Sequence, residues 1–174
     1  VQFTDKKQFI KYKFKTKPYK HQYDAFIKSK DKESYALFME QGTGKSKVII
    51  DNIAYLYREG KIDTAVIAAP KGVYRNWLSS EFNTHMPDDV KEFTEMLVWS
   101  PTETKSNIES LTNFLKPNHN LKFFIINIEA LSTDKGKNYL HRLLNSSKAF
   151  FCIDESTNIK NRTARRTKAC LKLG

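Results

Sequence analysis

The stretch that most constrains the fold is a glycine loop at residues 39–46, which reads Met-Glu-Gln-Gly-Thr-Gly-Lys-Ser. The apolar run Tyr35–Met39 precedes the loop and predicts a buried strand, and an apolar-periodic segment at 48–57 follows it and predicts a helix. A strand, a glycine loop and a helix in this order are typical of a loop that binds phosphate through its backbone N–H groups. Gly42 and Gly44 allow the backbone to curl inward, and the helix adds its positive N-terminal end.

The residues of this loop have separate predicted roles in holding a nucleotide. Lys45 is expected to reach the β- and γ-phosphates and to assist the reaction, and the Ser46 hydroxyl is expected to ligate Mg²⁺. The loop departs from the pattern G-x-x-x-x-G-K-[ST] at Met39, which stands where the first glycine belongs. A glycine-rich turn without a ligand is the alternative. The predicted nucleotide-binding residues of the loop are Gln41, Gly42, Thr43, Gly44, Lys45 and Ser46.

Composition narrows the class of protein. A chain of 174 residues, 40% of them hydrophobic, suits one globular domain with a sizeable core. The sequence has no apolar run long enough to cross a bilayer and no signal-peptide pattern at its start. Cys152 and Cys170 lack metal-site spacing and fit a reduced intracellular protein, so we expect a cytoplasmic location. The compact size and few embellishments of the chain suggest a bacterial or viral source. The formal net charge of +11 predicts a polyanionic partner, with a solvated basic face as the alternative.

Basic and aromatic residues alternate loosely in residues 1–17, which we separate from a main domain at 18–174. Tyr12, Phe14 and Thr16 share one face of an extended chain, and lysines occupy the other face. This pattern predicts an edge strand or an arm packed on the domain. A grip on single-stranded nucleic acid is the alternative, because such grips also interleave lysines with aromatic rings.

Strands and helices alternate along the rest of the chain. The pattern predicts strands at Asp63–Ala69, Met96–Trp99, Leu121–Ile128 and Ala149–Ile153. It predicts helices that begin at Pro18, within Lys71–Leu78, at Thr104 as N-cap, near Lys137 and near Arg162, and loops at Pro117–Asn120 and Asp134–Lys137. The alternation predicts an α/β fold with a mostly parallel sheet and helices on both faces, whose ligands bind at the carboxyl ends of the strands.

Two further features are predicted to act on a nucleotide. The last predicted strand runs into Asp154 and Glu155, where Asp154 is expected to bind Mg²⁺ and Glu155 to act as general base for water attacking the γ-phosphate of ATP. The amide of Gln22 is expected to pair with adenine, because it offers both an acceptor and donors. The alternatives are a solvated acidic turn and an exposed glutamine on a helix.

Five segments, in order along the chain, carry a family resemblance: Pro18–Gln22, Glu40–Ser46, Ala68–Trp77, Ile126–Leu131 and Asp154–Asn161. They resemble the Q motif and motifs I, Ia, Ib and II of the first RecA-like motor domain of superfamily 2 helicases, closest to the Swi/Snf-like branch. The resemblance implies a RecA-like P-loop NTPase fold, ATP and Mg²⁺ as cofactors, and an ATP-dependent motor acting on duplex or branched DNA rather than RNA. It also implies nucleic-acid contacts by Pro70, Lys71, Gly72, Arg75 and Asn127.

The sequence departs from this family in ways that affect function. Thr157 stands where motif II usually has a histidine, and Ser46 replaces the more frequent threonine but keeps the hydroxyl. Motif III and a second RecA-like domain would follow Gly174, so we expect an incomplete motor that is weak or inactive alone and whose partner is that second domain. A P-loop phosphotransferase and a non-enzymatic nucleotide-dependent nucleic-acid-binding module are the other hypotheses.

Overall fold

The computed structural model describes residues 12–154, in which helices alternate with four strands. The strands are β1 (Thr64–Ala69), β2 (Thr94–Val98), β3 (Leu121–Asn127) and β4 (Ala149–Ile153). The longer helices are α1 (Lys20–Ser29), α2 (Lys45–Arg58), α6 (Lys105–Phe114) and α7 (Asp134–Asn145). Between β1 and β2 lie the short helices α3 (Tyr74–Asn76), α4 (Phe82–His85) and α5 (Asp88–Lys91), and a π-helical turn, Trp77–Glu81, joins α3 to α4. A 3₁₀ helix, Ile128–Ser132, follows β3.

The four strands form one parallel sheet in the order β2-β3-β1-β4. Ile67 of β1 lies opposite Ile125 of β3 and Cys152 of β4, so these strands end at the same edge. Every residue of β1 is buried, as the continuous apolar run at this position predicts for a strand covered on both faces.

Helices cover both faces of the sheet, because successive strand residues point to opposite sides. Ala65, Ile67 and Ala69 pack in a cluster with α2, Trp77 and α4 on one face. Val66 and Ala68 pack with α6 and α7 on the other face. The predicted α/β fold, a mostly parallel sheet with helices on both faces, is confirmed.

Local signals account for where several helices begin. The Thr104 side chain accepts a hydrogen bond from the Asn107 backbone N–H at 3.2 Å, so its predicted role as N-cap of α6 is confirmed. Thr133 caps α7 in the same way, with its hydroxyl accepting from the Gly136 N–H at 3.2 Å. Gly44, with a φ of 81°, precedes α2 in the left-handed conformation that suits glycine.

The predicted strand at Tyr35–Met39 is wrong, because this segment has no strand structure. Phe38 is 96% exposed, and Leu37 is the apolar side chain of the run that packs against the core. A strand needs a hydrogen-bonded neighbour, and residues 35–40 pair with none of the four described strands. Apolar content alone therefore predicted a strand that this segment does not form.

The predicted loop at Asp134–Lys137 is also wrong, because these residues form the first turn of α7. Gly136 lies there because of a close approach rather than a turn: an added Cβ would lie 2.5 Å from the Ala130 carbonyl oxygen. Glycine is thus a packing requirement between the 3₁₀ helix and α7.

The described part of the N-terminal segment, residues 12–17, forms neither helix nor strand. Its aromatic rings pack on the first two helices: Phe14 meets Phe26 with centroids 5.2 Å apart, and Tyr12 meets Phe26 at the same distance. Residues 1–11, Glu155, the rest of the motif II segment, the helix predicted from Arg162 and Cys170 lie outside the described residues. No helix within 12–154 is both long and apolar enough to cross a membrane.

Candidate active site

The carboxyl ends of β1, β3 and β4 bring several predicted site residues to one edge of the sheet. Ala69 at the end of β1 lies opposite Asn127 at the end of β3. The backbone N–H of Asp154, just after β4, donates to the Ala68 carbonyl at 2.8 Å, which holds Asp154 beside the end of β1. Parallel α/β sheets bind their ligands at the carboxyl ends of the strands, which is where the sequence placed these predicted site residues.

The glycine loop curls tightly around the Glu40 carbonyl. This oxygen accepts from the Thr43 N–H at 3.4 Å and from the Thr43 hydroxyl at 2.6 Å. Gly42 and Gly44 both have positive φ, 78° and 81°, a backbone conformation that residues with side chains rarely adopt. Left-handed residues of this kind let successive N–H groups converge on an anion, and α2 begins directly after them.

The Lys45 ammonium group rests on the loop's own backbone. It donates to the Met39 carbonyl at 3.1 Å and to the Glu40 carbonyl at 3.0 Å. These contacts hold the ammonium group against the loop, where an entering phosphate would offer it anionic oxygens in place of neutral carbonyls.

Gln22 lies against the glycine loop and is only 5% exposed. Its side-chain oxygen accepts from the Tyr19 N–H at 3.0 Å, and its amide nitrogen donates to the Thr43 carbonyl at 3.0 Å. His21 Nε2 lies 3.0 Å from the same Thr43 oxygen, and the Tyr19 ring stacks on His21. Sequence reasoning missed the contact between His21 and the Thr43 oxygen. The Gln22 amide thus ties α1 to the loop.

Trp77 holds the carboxylate of Asp154. The indole N–H donates to Asp154 Oδ2 at 2.9 Å, and the indole is 1% exposed. Sequence reasoning assigned Trp77 to the segment that resembles motif Ia but missed this bond. A buried Trp N–H requires an acceptor, and this requirement was the signal available in the sequence.

Glu81 is the second site residue that sequence reasoning missed. Burial raises the pKa of its carboxyl, the nearby Ser46 hydroxyl lowers it, and the nearby Asp154 charge raises it further. The signal in the sequence was the spacing from Trp77, since residues four apart lie on the same side of a helix.

The donor atoms suit Mg²⁺. Ser46 offers a hydroxyl oxygen and Asp154 a carboxylate oxygen, and Glu81 interacts with both residues. Mg²⁺ prefers oxygen ligands and is usually bound by one or two protein groups together with nucleotide phosphates and water. The chemistry of these residues therefore fits the ion that the sequence predicted.

The residues predicted to contact nucleic acid lie at the same edge of the sheet. Lys71, Gly72 and Arg75 are exposed in the segment after β1, and Asn127 is half-buried, with its amide 3.4 Å from Glu129. The Pro70 carbonyl accepts from the Tyr74 N–H at 3.0 Å and so shapes the turn into α3. Arg75 donates to the Tyr74 hydroxyl at 3.2 Å, and this bond raises the pKa of the guanidinium.

Charge pairing differs among the basic residues around this edge. Within residues 12–154, no carboxylate pairs with Lys71 or Arg75. Lys135 is paired with Glu103 and Lys137 with Asp134, each at 2.8 Å. Lys71 and Arg75 therefore present positive charge that no described carboxylate offsets.

Comparison with known proteins identifies the family of this chain. The family described as "Type III restriction enzyme, res subunit" (ResIII) matches residues 8–172, which is nearly the whole chain. No curated protein matches the chain in the comparison of whole sequences. ResIII is a RecA-like motor domain of helicase superfamily 2, a fold consistent with the parallel sheet and the strand-end site. The chain therefore belongs to the ResIII family of RecA-like, helicase-type motor domains.

Proposed function

We propose that this chain is the ATP-binding motor domain of a protein that hydrolyses ATP to move along DNA. The observation that carries the proposal is that the glycine loop leads into α2, which packs with Trp77 in one core cluster, while the Trp77 indole N–H donates to Asp154 at the carboxyl ends of the strands. A nucleotide held there would contact residues from several elements at once. Its hydrolysis would therefore be able to shift those elements relative to a bound track.

The glycine loop is proposed to hold the phosphates of ATP. Backbone N–H groups of residues 41–46 would cradle them, and Lys45 would exchange its two loop carbonyls for phosphate oxygens. A bound Mg²⁺ would neutralise charge that develops on the phosphates during hydrolysis. Ser46 and Asp154 are the residues proposed to hold it, with the Trp77 indole fixing the Asp154 carboxylate.

Glu155 is proposed as the general base that accepts a proton from the attacking water. Its neighbour in the sequence, Asp154, is held at the strand end by a backbone bond to Ala68. The proposal for Glu155 itself rests on its place in the Asp154–Asn161 segment, which resembles motif II. General bases of this kind must lie within hydrogen-bonding reach of the water, directly or through one other water.

Gln22 is proposed to set the preference for adenine. Its amide is shared between Tyr19 and Thr43, next to the glycine loop. Pairing with adenine would require the amide to exchange these bonds or to use its remaining hydrogen-bonding capacity. Either arrangement would couple base recognition to the shape of the loop, because the Thr43 carbonyl belongs to the loop itself.

DNA is proposed to bind along the strand-end edge through Pro70, Lys71, Gly72, Arg75 and Asn127. Lys71 and Arg75 have no carboxylate partner within residues 12–154, which supports contacts to phosphates that fix position without reading sequence. The net charge of +11 favours a polyanionic track in general. The segment Ala68–Trp77, which resembles motif Ia of the Swi/Snf-like branch, favours duplex DNA over RNA.

Assignment to the Swi/Snf-like branch is the finer part of the proposal, and it makes a distinct prediction about movement. Motors of that branch move along duplex DNA without separating its strands, together with a second RecA-like domain. The test uses the full-length protein with ATP on a DNA triplex and on a forked duplex. Release of the third strand without opening of the fork is expected, and fork opening without third-strand release would contradict the branch assignment.

A further inference from the structure

Two side chains from the first turn of α1 hold the Thr43 carbonyl, which belongs to the glycine loop. Gln22 Nε2 donates to this oxygen at 3.0 Å, and His21 Nε2 lies 3.0 Å from the same oxygen. A carbonyl oxygen has two lone pairs and no hydrogen, so His21 Nε2 carries the hydrogen of this contact, and the two donors together use the oxygen's full capacity. The sequence predicts a role for Gln22 but none for His21.

Neighbouring groups set the orientation of both donors. The Gln22 side-chain oxygen accepts from the Tyr19 N–H at 3.0 Å, which directs the amide nitrogen to the loop. The Tyr19 ring stacks on the His21 imidazole, with centroids 5.9 Å apart and 9° between the ring planes. His21 is exposed, yet this stacking holds its ring in a plane from which Nε2 reaches Thr43.

The direction of the Thr43 carbonyl determines the direction of the next N–H group. In a planar trans peptide the C=O of one residue and the N–H of the next point in opposite directions, and none of the described peptide bonds is cis. Drawing the Thr43 oxygen toward α1 therefore turns the Gly44 N–H away from α1. Within residues 12–154 this N–H has no backbone acceptor, and it lies directly before α2, where the loop is proposed to meet phosphate.

This peptide needs an external hold because of the residue that follows it. Gly44 has no side chain to restrict its backbone, so the Thr43–Gly44 peptide could rotate at little steric cost. Thr43 itself is fixed on its other side, where its N–H and its hydroxyl both donate to the Glu40 carbonyl. A peptide that is already oriented does not have to be ordered when a ligand binds, and this favours binding.

We infer that His21 is a positioning residue that, by donating to the Thr43 carbonyl, holds the Gly44 N–H ready for a phosphate. This inference rests on the proposed function, because it requires a nucleotide at the glycine loop. It deepens that function by assigning to His21 an effect on the phosphates and not on the base.

The test is the affinity of the full-length protein for ATP and for inorganic triphosphate, each with Mg²⁺, measured by competition with a fluorescent ATP analogue. His21→Phe keeps a flat ring for Tyr19 and removes the donor. We expect it to weaken both ligands by the same factor of about 2- to 10-fold, the typical contribution of one hydrogen bond. His21→Gln returns an N–H donor at a similar reach and should recover most of the affinity.

The matched control is His119→Phe, the same replacement at an exposed histidine in the loop before β3, which should leave both affinities unchanged. Unchanged affinities in His21→Phe would overturn the inference, as would a His21→Gln variant that is no better than His21→Phe. A loss for ATP without a loss for triphosphate would also overturn it, because His21 would then act on the base. Failure of the wild-type protein to bind ATP would instead overturn the proposed function, and the role of His21 with it.

Discussion

At the scale of single residues, the two glycines of the loop are predicted to differ in what they require. Both have positive φ, so alanine at either position should cost about 1–2 kcal/mol of stability. Only at Gly44 would the added Cβ also meet a neighbour, Gln22 Nε2 at 2.3 Å, whereas Gly42 has nothing within 4 Å. Gly44→Ala should therefore also displace Gln22 and weaken ATP binding more than Gly42→Ala does.

The measurement is the free energy of unfolding and the ATP affinity of both alanine variants. Gln22→Ala combined with Gly44→Ala is the control, because removing the glutamine amide should relieve the contact and leave only the backbone strain. Equal losses of ATP affinity at Gly42 and Gly44 would show that the contact with Gln22 is unimportant.

A buried ion pair directly after the loop allows a second test at this scale. Lys47 and Asp51 are 3% and 1% exposed, and the Tyr12 hydroxyl donates to the other Asp51 oxygen at 3.3 Å. Asp51→Leu leaves a buried ammonium group without its partner and should cost about 3–5 kcal/mol. Lys47→Met combined with Asp51→Leu should lie close to the wild type, because no buried charge is left uncompensated.

Lys47→Met alone should make stability depend more strongly on pH than it does in the wild type. Burial already raises the pKa of Asp51, and removing the lysine removes a contact that lowers it. A carboxyl whose pKa is higher in the folded than in the unfolded state contributes stability below its unfolded value, about 3.9, and loses this contribution as the pH rises. Denaturant unfolding of Lys47→Met should thus give a free energy that falls above about pH 4, and a profile parallel to the wild type would contradict this account.

At the scale of elements, the segment before the loop is predicted to be the least protected part of the nucleotide site. Residues 35–40 form no ladder with the described sheet, whereas β1 and β3 lie at its centre. Amide hydrogens of residues 35–40 in the chain of residues 1–174 should exchange far faster than those of residues 64–69 and 121–127. Hydrogen exchange read by mass spectrometry checks this. Comparable protection would show that the segment is a strand after all.

The contrast between these elements shows which parts of the fold local sequence determines. The run at β1 and the capping threonine of α6 carry their own signals, so their positions were predicted from the sequence. The run at Tyr35–Met39 has similar apolar content, but a strand also depends on a partner elsewhere in the chain, which periodicity does not reveal. Gly136 was misread for a related reason, since its requirement comes from the Ala130 carbonyl.

The same distinction applies to the candidate site. The glycine loop and Asp154 could be proposed from the sequence because their residue types and their flanking segments are contiguous there. Trp77 was missed because its partner, Asp154, lies 77 residues further along the chain. Glu81 was missed because its neighbour Ser46 lies on a different helix. Contacts of this kind are set by how the π-helical turn packs on the sheet, so they require the structure.

At the scale of the whole molecule, the distribution of positive charge predicts where DNA binds. Replacing both Lys71 and Arg75 by glutamine should weaken binding equally on different sequences and should reduce the salt slope by about 2. The control is the double replacement of Lys91 and Lys148, exposed lysines close to where β2 and β4 begin, at the opposite edge. The measurement is affinity for duplex DNA against salt concentration, and equal slopes for the two double variants would place the track elsewhere.

The central claim is that the glycine loop binds ATP and that its hydrolysis depends on DNA. The most direct measurement is steady-state ATP hydrolysis by the full-length protein, with and without duplex DNA, for the wild type, Lys45→Ala and Glu155→Gln. We predict that DNA stimulates the wild type and that Lys45→Ala abolishes turnover. Glu155→Gln should still bind ATP with Mg²⁺ but hydrolyse it slower by on the order of 10²-fold or more. Equal turnover by the wild type and Lys45→Ala would contradict the account.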